Sequence, residues 1–62
     1  MPLNLQPNID KPDDFYEKLI NMQRDLSEDA VQLMNAKLIL VLANHIGDMD
    51  ILSEAMAVAA EQ

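Results

Sequence analysis

The sequence predicts an all-α fold: a compact three-helix domain over 11–62, with an extended N-terminal arm over 1–10. Three observations predict it. Apolar residues recur at spacings of three and four along most of the chain, the period of a helix face. Chain breakers are scarce, with a single Gly and three Pro, and every Pro falls in the first twelve residues. Half the residues are hydrophobic, yet Phe15 and Tyr16 are the only aromatics, so any core is built from Leu, Ile, Val, Met and Ala. Unbranched side chains and Ala favour helix.

The arm comes first. In MPLNLQPNI, Leu3 and Leu5 alternate with polar residues, and Pro2 and Pro7 disfavour helix. Two readings stand: a frayed tail, or a strand-like arm whose Leu3, Leu5 and Ile9 lie in a groove of this chain or a neighbouring one.

DKPDD then opens a helix over about 11–25, with Asp10 as the candidate N-cap and Pro12 in the first turn, where its missing N–H has no partner anyway. Phe15, Leu19, Met22 and Leu26 make one apolar stripe, widened by Tyr16 and Ile20. Ser27 caps the second helix, and Glu28 and Asp29 follow at once. From there to Ile46 nothing interrupts, and that length decides helix over strand for LILVLA. Gly47 ends it as a left-handed C-cap. Asp48 or Asp50 caps the third helix, over about 49–60, whose Leu52, Ala55, Met56 and Ala59 share one face.

The second helix carries more apolar surface than one face can hold. Val31, Met34, Leu38, Val41 and Leu42 form a face against which helices one and three are expected to pack. Opposite them, Glu28, Gln32 and Asn35 are polar, but Ile39, Ala43 and Ile46 then occupy that same side, flanked by Leu33 and Leu40. A helix that is apolar all round is buried all round. Two short helices do not easily cover a third on every side. A chain of 62 residues is also marginal alone, burying only about 60% of its unfolded surface even when compact. The expectation is a helix-packed homodimer with Leu33, Ile39, Leu40, Ala43 and Ile46 at the interface. The alternative is that the arm folds back over them.

Charge and composition remove several function classes. The net charge is −7, and Lys11, Lys18, Arg24 and Lys37 are scattered. Nucleic-acid phosphates and anionic lipid surfaces both need clustered bases. A helix-turn-helix reader needs bases on its last helix, and residues 49–62 contain no Lys or Arg. The acidity has a structural reading: Asp10, Asp13, Asp14, Glu28, Asp29, Asp48 and Asp50 fall at the predicted helix starts, where negative charge complements the dipole. With no Cys, disulfides and thiolate zinc sites are excluded. The N-terminus lacks the basic and long apolar regions of a secretory signal. Six consecutive apolar residues, Leu38 to Ala43, fall far short of the ~20 that span a bilayer. A cytoplasmic, acidic, membrane-free protein is expected.

Chemistry is sparse. HIGDMD places His45, Asp48 and Asp50 within six residues, and imidazole with carboxylates can bind a divalent metal or small ligand. A Gly-ended helix separates His45 from the acids, however. Capping for the acids, and packing or a C-terminal dipole contact for His45, explain all three. A nucleophile would need a matched base, and a phosphate-cradling loop would need several glycines. The expectation is therefore no enzyme activity, no cofactor and no catalytic residue, with the metal or ligand site as the alternative.

Taken together, LNLQPNIDKPDDFYEKLI, LSEDAVQLMNAKLILVLANHIGD and ILSEAM resemble a small family of uncharacterised bacterial proteins of unknown function. PDDFYEKLI and NAKLILVLANHIGD are the most specific stretches. The resemblance implies no activity and no site residues. It implies a genomic setting near flavin-dependent oxidoreductases and aromatic-catabolism enzymes, and so an oxidoreductase as a possible partner protein.

Overall fold

Helix punctuation in the sequence is obeyed around the second helix and at the start of the third. The computed structural model describes residues 3–61; Met1, Pro2 and Gln62, which begin and end the expected arm and domain, lie outside the described residues. The order is α1 (Pro12–Gln23), α2 (Glu28–Ile46) and α3 (Met49–Ala60), with no strand among the described residues. The fold is all-α.

The two caps around α2 and the one before α3 act as expected. The Ala30 N–H donates to Ser27 Oγ at 3.2 Å, which satisfies one orphan donor of the first turn. Gly47 has φ +71° and its N–H donates to the Ala43 carbonyl at 2.9 Å, closing the helix in the left-handed conformation that costs Gly least. Asp48 Oδ1 accepts from the N–H groups of Asp50 at 2.9 Å and Ile51 at 3.1 Å, so of the two candidate caps Asp48 is the one used. Asp13, Asp14, Glu28, Asp29 and Asp50 all lie in first turns.

α1 departs from expectation at both ends. Lys11, not Asp10, stands at the N-cap and makes no side-chain capping bond. The reason is Pro12: it is helical and prefers the first position, which pushes the cap to the residue before it. The helix ends at Gln23 rather than near 25 because Arg24 is already extended at ψ 137°, and Asp25 completes the turn in the left-handed region at φ +66°. A short polar side chain tolerates that conformation better than most.

The larger departure is in packing. The radius of gyration is 13.4 Å, against about 10.6 Å for a compact chain of this length. No described side chain is buried. α2 and α3, which meet at the Gly47 corner, make the most extensive contact between elements, and α1 packs little. Its Phe15, Tyr16, Ile20 and Met22 are exposed, as is Met56 of α3, although Met22 and Met56 are expected on core stripes. The chain is therefore not the compact bundle that the helical periodicity suggests.

Two hydrogen bonds hold the elements at long range. Gln23 Nε2 donates to Asn35 Oδ1 at 2.8 Å and ties the end of α1 to α2. The Leu3 N–H donates to Glu54 Oε2 at 2.8 Å, so the start of the arm lies against α3. Leu3 is half-buried there, while Leu5 and Ile9 are exposed. An Asx turn from the Gln6 N–H to Asn4 Oδ1 shapes the stretch between.

Candidate interaction surface

Along α2 the surface changes character halfway. Val31, Met34, Asn35 and Leu38 are half-covered. Beyond them, Ile39, Leu40, Val41 and Leu42 are 65%, 70%, 64% and 48% exposed. Four consecutive residues go most of the way round a helix of 3.6 residues per turn, so this turn is open except on the side of Leu38 and Ala43, which are half-covered. Ile46 and Met49 extend the exposed apolar surface around the Gly47 corner, and Leu33 lies exposed nearly two turns before Ile39.

Four of the five residues expected at an interface, Leu33, Ile39, Leu40 and Ile46, are thus solvent-exposed in the single chain, and Ala43 is half-buried. The arm does not cover them, since it lies against α3 and leaves Ile39 and Leu40 open. Val41 and Leu42 are a correction. They belong to the face expected to pack under α1 and α3, and they are exposed as well. The signal for this was present in the run itself. An apolar stretch longer than one turn has no inner face to choose.

Isolated apolar exposure is ordinary, but a contiguous patch is not. The chain exposes 5808 Å² in all, against about 4,000 Å² for a compact monomer of its mass. The surplus, about 1,800 Å², is roughly twice what one partner contributes to a standard stable interface. Charge does not oppose contact here, since no Asp, Glu, Lys or Arg falls between Lys37 and Asp48.

The alternative site does not assemble. His45 is exposed in the last turn of α2, and Asp48 Oδ1 is occupied by the two backbone N–H groups of its own helix start. Among the described residues no group of three His, Cys, Asp or Glu side chains could hold a metal ion. The depressions on the surface are shallow and open. One is lined by Ile9, Lys11, Asp14, Phe15 and Lys18, a second by Tyr16, Ile20 and Arg24, a third by Leu26, Val31 and Gln32. None of the three includes His45, Asp48 or Asp50. No described helix is long and apolar enough to cross a membrane.

Comparison with known proteins adds a family and no activity. The model of a family described as "Protein of unknown function (DUF2783)" matches residues 3–61. That is nearly the whole chain, and the chain belongs to this family. No curated protein and no solved structure matches it.

Proposed function

Starting from a chain that belongs to a family of unknown function, we propose that it is a non-catalytic interaction protein, a small accessory subunit that associates through the second half of α2. The observation that carries this is the exposed apolar turn Ile39–Leu42. Fixing the backbone of one residue costs about 1–2 kcal/mol, and side-chain burial is what offsets it. With no side chain buried among the described residues, little is set against that cost. Association supplies the missing burial.

The test pairs two lysine substitutions on one helix. Ile39→Lys removes an apolar contact of about 1.5–3 kcal/mol from each chain, so a two-fold assembly weakens by about 10²- to 10⁴-fold. Gln32→Lys, on the polar side of the first half, leaves association unchanged. Light scattering coupled to size exclusion reads the mass of each variant. If Ile39→Lys leaves mass and stability as they were, the second half of α2 is not the interface.

A further inference from the structure

Two apolar surfaces lie uncovered in one chain, and they match. On α1, Phe15, Ile20 and Met22 are exposed, with Leu19 half-covered between them. On α2, Ile39, Leu40, Val41, Leu42 and Ile46 are exposed. Phe15 to Met22 and Ile39 to Ile46 each span seven residue steps, about 10 Å of helix. The α2 surface, which runs on to Met49, is long enough to seat the α1 surface, and both are left exposed by the described residues of their own chain.

The tethers explain why they do not meet within one chain. The end of α1 is held at Asn35 by the Gln23 hydrogen bond, a turn short of Ile39. The left-handed turn at Asp25 sets the direction in which α1 leaves α2. The arm that precedes α1 is held separately, with its Leu3 N–H on Glu54 of α3. Folding α1 back over its own Ile39–Leu42 turn would strain or break these bonds. A second copy covers both surfaces with every one of them intact.

We propose that two copies of this chain form an interlocked two-fold dimer in which α1 of each lies across the second half of α2 of the other. The inference rests on the reading of α2 as an interface, and adds the occupant and the manner of its seating. Symmetry makes it closed: each chain gives one α1 and receives one, leaving no surface to propagate a filament. The areas agree. Two separate chains expose twice 5808 Å², whereas a compact body of the combined mass exposes about 6,700 Å². The difference, about 4,900 Å², lies within the range of permanent dimers, about 2,000–5,000 Å². The absence of Asp and Glu from Leu38 to Gly47 keeps the seat of the contact clear of the acidic surplus.

The chain carries its own reporter, because Phe15 and Tyr16 are its only aromatic residues. Isotope-labelled and unlabelled chains are unfolded together, refolded as mixed dimers and studied by isotope-filtered nuclear Overhauser spectroscopy. The expected result is contacts from the Phe15 ring of one chain to the Ile39, Leu40 or Leu42 methyls of the other. Phe15→Ala is expected to weaken dimerisation at least tenfold. Three results overturn the proposal. A dimer whose ring-to-methyl contacts all lie within one chain removes the exchange of α1 and leaves the α2 interface standing. A monomer at every concentration removes the second copy as occupant. A chain that stays monomeric alone but seats a different protein on Ile39–Leu42 assigns the surface to that protein instead.

Discussion

The two halves of α2 share one helix and differ in what they require. From Glu28 to Lys37 the helix is ordinarily amphipathic: Val31 and Met34 are half-covered and Glu28 and Gln32 face solvent. From Leu38 to Ile46 the backbone continues unchanged, but the turn Ile39–Leu42 is apolar and exposed. The first half is partly covered by its own chain, with Leu33 its one large exposed apolar residue. The second half is left largely open by its own chain. Local rules decide where a helix lies, and packing decides whether its surface is satisfied.

The largest expected effect follows from putting charge in the second half. Leu42→Asp should weaken the dimer by at least about 3 kcal/mol, counting the lost burial twice. Sedimentation equilibrium reads this directly, and an unchanged association constant would erase the contrast between the halves. Gly47→Ala should come next. It forces a side chain into φ +71°, at a cost of about 1–2 kcal/mol per chain. Space is not the obstacle, because an added Cβ meets only the Asn44 carbonyl oxygen at 3.7 Å. Thermal melts should therefore fall for Gly47→Ala without any new contact being broken.

Smaller effects belong to the first half. Ser27→Ala removes the cap bonded by the Ala30 N–H and should cost about 1 kcal/mol. Denaturant titration measures it, with the slope unchanged. Gln32→Ala touches only solvent-exposed surface and should stay within about 0.5 kcal/mol of the parent. A Gln32→Ala loss as large as that of Leu42→Asp would show that the halves of α2 are not different in kind.

Much of the fold was legible because it is written in single residues. Ser27, Gly47 and Asp48 each satisfy or redirect backbone groups next to them, so the bounds of α2 and α3 follow from chemistry within one turn. The ends of α1 were harder for the same kind of reason. Asp10 and Lys11 compete for the cap beside Pro12, and the left-handed turn at Asp25 is open to Asp without being demanded by it. The expected interface set was legible as composition: Leu33, Ile39, Leu40 and Ile46 are apolar and exposed. What a helical wheel does not contain is reach. It places Val41 and Leu42 toward α1 and α3, but α1 is tied at Asn35, and the packing of α3 beyond Gly47 leaves both exposed. Which neighbour arrives at a face depends on contacts far apart in sequence.

The central claim is that the second half of α2 is finished by association, and the mass of the unmodified chain tests it most directly. Sedimentation equilibrium from low micromolar to hundreds of micromolar should give twice the 7.0 kDa chain mass at the upper end. The thermal midpoint should rise with concentration, because assembly and folding are linked. A cooperatively folded species of 7.0 kDa at every concentration, with a midpoint that does not move, would contradict the account.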